Sequence, residues 1–360
     1  MMTQKIRVGL VGFGISGQVF HAPIMRSVPE LELVKVTARK EEQKVILREK
    51  YPTAEAVDHI DAILEDDSID LVVIATSNDM HYPFAKQALL AGKHVVVEKP
   101  FTNTSEQADE LITLAKGKGK ILSVYHNLRF NSDFRTILNV VKDERLGGIK
   151  NFEVRYDRFR NHLRPNAWRE DNLPGSGIFY DLGAHLIDQT LQLFGKPNAL
   201  FADLSIQRPR AKAIDHFELL LYYPEMRVSL KGGMLAKEPT PRYTIFALNG
   251  NFLKNGVDSQ EALLRAGKFP DEDPNWGKED PAIYGKLNLL LDGQDIEETI
   301  PSKLGSYPDY YQNIAHAILG KEKLIVTPEQ ARDVIRIIEL GVLSQEKRCV
   351  IPLDNQLIAY

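Results

Sequence analysis

Three short motifs in this 360-residue chain hold side chains able to do chemistry. Gly12-Phe13-Gly14-Ile15-Ser16-Gly17 fits G-x-G-x-x-G and directly follows the apolar run IRVGLV. Between a strand and a helix each glycine has its own task. Gly12 makes a tight turn, Gly14 lets the backbone approach a pyrophosphate, and Gly17 lets helix and strand pack closely, while the helix N-terminus favours negative charge. Outside that setting the same residues form only a glycine-rich turn. Glu98-Lys99-Pro100 closes the run HVVVEK, which places Lys99 at the carboxyl edge of a sheet, where doubly wound folds bind ligands. An ammonium there can polarise an oxygen, or it can stand as a solvated surface charge. The third motif is GSGIFYDLGAHLID at 175–188, opening a helix. Asp181, His185 and Asp188 recur at i, i+4 and i+7, on one helical face. An imidazole, with an ordinary pKa near ~6.5, can exchange a proton at neutral pH. The spacing also suits a polar stripe in which Asp181 caps the helix and His185 is a hydrogen-bonded structural residue.

The elements that must position these groups are readable in outline. To about residue 127, the runs IRVGLVG, LELVKV, IDLVVIAT, HVVVEK and ILSVYH alternate with amphipathic helical patterns. Near-continuous Val/Ile/Leu runs separated by helices are what a parallel sheet covered on both faces requires. Residues 1–127 are expected to form a doubly wound α/β domain of Rossmann type. Beyond Asn131 the segments IKNFEVRYDRF, HFELLLYY, MRVSLKGGML and RYTIFALNG alternate in polarity between turn residues, which predicts a largely antiparallel open sheet in an α+β domain over 128–360. Residues 258–300, rich in Asp, Gly and Pro, read as an insertion or irregular excursion rather than regular sheet. The stretches 308–320 and 328–347 have helical spacing, with Thr327-Pro328-Glu329 as a start signal, and can pack back on either domain.

Composition narrows the function classes. With 45 basic and 49 acidic residues interspersed, the net charge of -4 gives no footprint for nucleic acid or an anionic membrane surface. Small molecules are the expected partners. The single Cys349 cannot form an intrachain disulfide, and the N-terminal residues lack the features of a signal peptide, so a cytoplasmic protein is expected. No Cys/His/Asp spacing suggests a metal.

Cofactor preference is addressed at the end of LELVKV. An NAD-preferring site carries an acid there to accept from the ribose hydroxyls. This chain reads Thr37-Ala38-Arg39-Lys40, with no acid before Glu41. Arg39 and Lys40 can instead neutralise the 2′-phosphate of NADP, or stand as solvated residues opening the next helix. NADP is the expected preference. The other expected cofactor contacts are Phe13, Ile15, Thr37, Thr76, Asn78, His81, Glu98, Lys99, His126 and Asn127, from loops opening on the cofactor edge of the sheet.

The combination of G-x-G-x-x-G, E-K-P and G-x-G-x-x-x-D-x-G-x-H-x-x-D resembles the Gfo/Idh/MocA family over essentially the full length. LSVYHNLRFNSDF, AWRE and GSYPDYY narrow the resemblance to its scyllo-inositol dehydrogenase branch. The resemblance implies that Lys99 contacts the substrate oxygen, His185 exchanges the carbinol proton and Asp181 binds substrate beside it. Ser176 departs from members with a third glycine, and the missing acid after the second strand departs from NAD-preferring members. Arg129, Tyr156, Arg158, Arg160, Trp168 and Arg169 are the candidates for a polyol pocket, each arginine being otherwise a solvated charge. The implied activity is hydride exchange between NADP and a polyol, most concretely scyllo-inositol and 2,4,6/3,5-pentahydroxycyclohexanone. A dinucleotide-sensing regulator and an NAD-dependent glycosidase are the alternatives. A homodimer or homotetramer is expected.

Overall fold

In the computed structural model, which describes residues 5–165 and 167–353, the chain forms two compact units. The first holds the chain through Phe130 together with Ser259–Trp276 and Ser306–Arg332; the second holds Asn131–Asp258, Gly277–Gly305 and the chain from Asp333 on.

The first unit is built on six parallel strands: β1 (Ile6–Val11), β2 (Leu31–Thr37), β3 (Glu55–Val57), β4 (Leu71–Ile74), β5 (His94–Val97) and β6 (Leu122–Val124). Their order is β3-β2-β1-β4-β5-β6, so the direction of winding reverses beside β1, directly under the glycine loop. Every residue of β4 is buried, as a strand covered on both faces requires. β3 lies outside the apolar runs. Two of its three residues are exposed, and pairing to Lys35–Thr37 defines it. Local chemistry sets the helix ends: Thr104 accepts from the Gln107 amide to open Ser105–Lys118, and Gly119, at φ 62°, closes it.

The second unit carries a nine-stranded mixed sheet: β7 (Ile149–Arg155), β8 (Ala199–Ser205), β9 (His216–Tyr222), β10 (Arg227–Gly233), β11 (Tyr243–Ala247), β12 (Gly250–Lys254), β13 (Gly285–Leu291), β14 (Gln294–Ile300) and β15 (Ile351–Pro352). The order is β14-β13-β12-β11-β7-β10-β9-β8-β15, antiparallel throughout except where β7 meets β10. The irregular excursion expected over 258–300 is corrected here. β13 and β14 form a hairpin whose turn residues Asp292 and Gly293 both take positive φ, 52° and 77°, as a two-residue primed turn demands. Residues 260–276, by contrast, join the first unit, together with the helix Pro308–Ile318. Among the described residues no helix is long and apolar enough to cross a membrane.

The second unit's core contains a fully buried ion pair. Lys254 Nζ lies 2.8 Å from Glu279 Oε2 and also donates to the carbonyls of Asn255 and Ile283. The hydroxyls of Ser132 and Ser302 donate to the same carboxylate at 2.5 Å. Removing one partner leaves a buried charge uncompensated. Glu279→Gln is expected to lower unfolding stability in urea by ~3–5 kcal/mol, with much of the loss recovered in a Lys254→Met/Glu279→Leu double variant. A change within ~1 kcal/mol in Glu279→Gln would show that the pair is solvated rather than buried.

Candidate functional site

The glycine loop has the shape its residue types demand. A Cβ on Gly12, at φ 101°, would lie 2.4 Å from the Ala75 carbonyl oxygen, and one on Gly17 would lie 2.2 Å from the Gly12 carbonyl oxygen. A Cβ on Gly14 would meet nothing within 4 Å. Gly12 and Gly17 are therefore fixed by the protein's own backbone, whereas Gly14 faces open space that a side chain would fill. That is a fit to a bound pyrophosphate. Thr37, at the end of β2, accepts from the Gly12 amide at 2.7 Å. The Phe13 carbonyl accepts from the side-chain amides of Gln18 (2.7 Å) and Gln43 (2.8 Å), two residues that carried no motif in the sequence. Phe13 is buried, Ile15 is exposed, and Arg39 and Lys40 extend into solvent just beyond β2.

The loops after β4 and β5 are joined by His81, whose Nδ1 lies 2.7 Å from the Pro100 carbonyl oxygen and whose Nε2 lies 3.3 Å from that of Thr76. His81 thus positions backbone. Asn78, His126 and Asn127 are buried on loops at the same edge, after β4 and β6. Glu98 is the junction: one oxygen accepts from Ser16 Oγ at 2.5 Å and the other from the Lys99 backbone amide at 2.6 Å. Burial alone would raise this carboxyl's pKa, but the contacts with His21, Lys99 and Ser16 outweigh it and hold the group well below the usual carboxylate range. Glu98 is therefore a structural anion behind the loop. Arg129 is buried, its guanidinium donating to the Ile325 carbonyl (3.0 Å) and to Gln330 (2.8 Å). Those bonds secure the segment ahead of the helix Pro328–Lys347.

In the second unit the extended chain continues past β7, with the amides of Tyr156, Arg158 and Arg160 donating to carbonyls of Lys231, Gly233 and Met234. The Arg158 guanidinium lies 5.1 Å from the Tyr156 ring centre, and buried Arg242 covers the same ring at 4.2 Å. A pocket of about 290 Å³ opens here, with Tyr156, Arg158, Lys237, Thr240 and Arg242 in its wall. Burial, together with repulsion from Arg164 and Arg158, lowers the pKa of the Arg160 guanidinium. Trp168 and Arg169 occupy a single turn, Trp168–Glu170, in which Arg169 lies over the Trp168 ring at 4.8 Å and its Nε is 3.7 Å from Asp181 Oδ1. Arg208 secures that turn, pairing with Glu170 at 2.6 Å and Asp215 at 2.8 Å.

Asp181 lies within a wide π-turn, Phe179–Gly183, that leads into the helix Ala184–Phe194. Such turns insert an extra residue into the helical winding, so the stripe does not continue as in an ideal helix. Asp181 is half-buried, whereas His185 and Asp188 are buried. The serine at 176 is accommodated because only its neighbours need left-handed backbone, Gly175 at φ 77° and Gly177 at φ 78°. Its hydroxyl accepts from the Leu173 amide.

A Rossmann sheet with an open glycine loop at its switch point, a lysine at the end of β5 and, in a separate mixed-sheet unit, a histidine-bearing helix are the features of an NAD(P)-dependent oxidoreductase. The chain belongs to the Gfo/Idh/MocA family: residues 6–126 match its oxidoreductase NAD-binding Rossmann fold and residues 139–353 its C-terminal alpha/beta domain. It is 41% identical to scyllo-inositol 2-dehydrogenase (NADP(+)) IolW of Bacillus subtilis, across 97% of this chain and 96% of that one. Identity to the uncharacterized oxidoreductase YdgJ of Escherichia coli is 42%, across 98% of this chain and all of that one (100%). Among solved structures, the Bacillus subtilis protein yvaA superposes with a TM-score of 0.94 at 40% identity, covering 98% of this chain and 100% of that chain.

The two glycines separate fold from binding. Gly14→Ala is expected to leave the melting temperature unchanged while weakening NADP binding at least ~10-fold, because only a ligand would meet the new methyl. Gly17→Ala should lower both, with an overpacking cost of ~1–3 kcal/mol. Calorimetric binding and thermal melts of both variants make the comparison. Undiminished affinity in Gly14→Ala would mean that the cradle does not face the dinucleotide.

Proposed function

We propose that this protein is a dehydrogenase acting on a secondary CH–OH group of a polyol or sugar, with NADP preferred over NAD. Its most concrete substrate pair is scyllo-inositol and 2,4,6/3,5-pentahydroxycyclohexanone. The observation that carries the reading is the Glu98 junction, because one buried carboxylate holds both the loop that faces the pyrophosphate and the backbone of Lys99. A protein that only sensed dinucleotide would have no use for a lysine anchored to its phosphate loop. The names of two relatives support the substrate class: the Bacillus enzyme above, and D-glucoside 3-dehydrogenase of Escherichia coli, 32% identical over 55% of this chain.

When bound, the nicotinamide supplies the acceptor for the hydride. The chain's own residues manage binding and protons. Gly12, Phe13, Gly14, Ile15 and Gly17 hold the pyrophosphate side. Thr76, Asn78, His81, His126 and Asn127 line or support the ribose and ring side. Oxidation of a carbinol requires its hydroxyl proton to leave, and His185 is the base that takes it, returning it in the reverse direction. Lys99 contributes positive charge that stabilises developing alkoxide character on the substrate; excluding water strengthens that interaction. Asp181, held by Arg169, accepts from a neighbouring hydroxyl, and Trp168, Tyr156 and Arg158 supply a wall of aromatic surface and donors. Arg129 is left out of this pocket because its guanidinium is already engaged with Ile325 and Gln330.

Arg39 and Lys40, exposed where NAD-preferring sites carry an acid, read the 2′-phosphate. Phe246 and Leu290, more than half exposed on β11 and β13, support pairing of the sheet in a homodimer or homotetramer. A cytoplasmic location suits a chain whose single cysteine, Cys349, is exposed and has no intrachain partner for a disulfide.

Purified protein incubated with NADP or NAD and a panel of inositols and aldoses, followed by nicotinamide absorbance, tests the reading. Reduced cofactor should accumulate fastest with NADP and a cyclic polyol. His185→Ala should lower the rate by ~10²–10⁴-fold with NADP affinity nearly unchanged, and an unaltered rate would remove His185 from the mechanism. Arg39→Ala should weaken NADP more than NAD. Equal effects would mean the 2′-phosphate is read elsewhere.

A further inference from the structure

Behind Glu98 runs a chain of buried groups that the mechanism above does not use. His21, fully buried, ends the turn Ser16–His21 that follows the glycine loop. Its Nδ1 lies 2.6 Å from the Tyr311 hydroxyl and its Nε2 lies 3.4 Å from Glu98 Oε1. The second contact is long for a hydrogen bond and acts mainly through the dipole of the ring. Burial, reinforced by Tyr125, Tyr310 and Glu98, holds the Tyr311 phenol far above its usual pKa range, so it stays a neutral donor. Tyr311 donating to Nδ1 is the arrangement that leaves a proton on Nε2, facing the carboxylate. Tyr125, whose ring lies 4.5 Å from the imidazole, packs against it, and its own hydroxyl donates to the Phe20 carbonyl.

We infer that His21, held by Tyr311, is a positioning residue for hydride transfer: it orients the Glu98 carboxylate so that Lys99 and the pyrophosphate loop keep one register. Glu98 has one oxygen for Ser16 and one for the Lys99 amide, and rotation of the carboxylate breaks one or both bonds. A buried carboxylate without its neighbouring dipole rotates or draws in water to recover solvation. The lysine backbone then moves relative to the loop, and sub-ångström to 1 Å displacements of a catalytic group are costly in rate. The inference rests on the role given to Lys99 above.

Three variants of the full-length protein test it. His21→Phe keeps a ring against Tyr125 but removes both nitrogen contacts. His21→Gln returns an N–H toward Glu98, and Tyr311→Phe removes only the hydroxyl. His21→Phe should lower kcat ~10–100-fold while the KM for NADP changes less than ~3-fold. His21→Gln should recover most of that loss, and Tyr311→Phe should cost ~3–10-fold, with the His21→Phe/Tyr311→Phe pair no slower than His21→Phe alone. Wild-type kcat in folded His21→Phe overturns the inference, as does a loss that follows the melting temperature and is not restored by His21→Gln. If His21→Phe does not fold, an unchanged kcat in Tyr311→Phe overturns it. Lys99→Met separates the two readings. Turnover retained in that variant refutes the lysine's role, whereas an inactive Lys99→Met beside a fully active His21→Phe refutes this inference alone. A readout independent of turnover is the isotope-labelled methyl signal of reductively methylated Lys99, recognised by its absence in Lys99→Arg. In NADP-loaded protein His21→Phe should shift that signal and His21→Gln should restore it; an unmoved signal counts against His21.

Discussion

A carboxylate taken out of water must be answered on both oxygens, and in this protein the requirement falls on Glu98. Its partners come from separate parts of the chain: Ser16 and His21 from the glycine-loop helix, and the Lys99 amide from the strand end. Tyr311, 290 residues beyond His21 in the chain, reaches the same point through His21. Satisfying one buried charge therefore registers the phosphate loop, the end of β5 and the helix Pro308–Ile318 together. Gly17 adds a steric constraint of the same kind, since its missing side chain is what lets the loop helix lie against the Gly12 carbonyl.

The second unit uses charge differently on its two levels. In its core Lys254 and Glu279 are completely buried and fully hydrogen-bonded, so the pair specifies how the segments around residues 132, 254, 279 and 302 meet. Around the segment after β7 the arginines carry unequal loads. Arg208 is paired twice and is structural, Arg169 lies against Asp181, and Arg160 sits among like charges. Of the groups assigned to substrate, Trp168 and Arg169 are thus mounted on a turn that Arg208 keeps in place, and Asp181 lies in the π-turn that widens the entry of the next helix.

Legibility in the sequence followed the range of the interaction. The parallel sheet and the glycine loop were plain because apolar runs and glycine spacing are local signals, and each glycine's surroundings match its expected task. β3 left no signal, since two of its three residues are solvent-exposed and only pairing defines it. The hairpin of β13 and β14 was hidden by the surrounding Asp, Gly and Pro, although Asp292-Gly293 is itself a hairpin turn signal. Membership of 260–276 and 306–332 in the first unit depends on contacts across hundreds of residues, such as Tyr310 donating to Ser123, which no window of sequence displays. At the site, residues with chemistry in recognisable motifs were proposed from the sequence. Gln18, Gln43, His21 and Tyr311, which hold those motifs in place, were not, because a supporting side chain need only arrive at the right distance and carries no spacing rule. Arg129 shows the converse: a promising charge beside the cofactor edge whose Nη1 is engaged by Ile325 and Gln330.

Direct transfer of hydrogen from a carbinol carbon to the nicotinamide is the central chemical claim, and isotope tracing reaches it without assuming any residue's role. Incubation of the protein and NADP with scyllo-inositol deuterated at its ring carbons should yield NADPH carrying one deuterium at C4 for each ketone formed, at a rate below that of the protiated polyol. Reduced cofactor without the label, or intact dinucleotide binding with no reduction by any polyol, would contradict it.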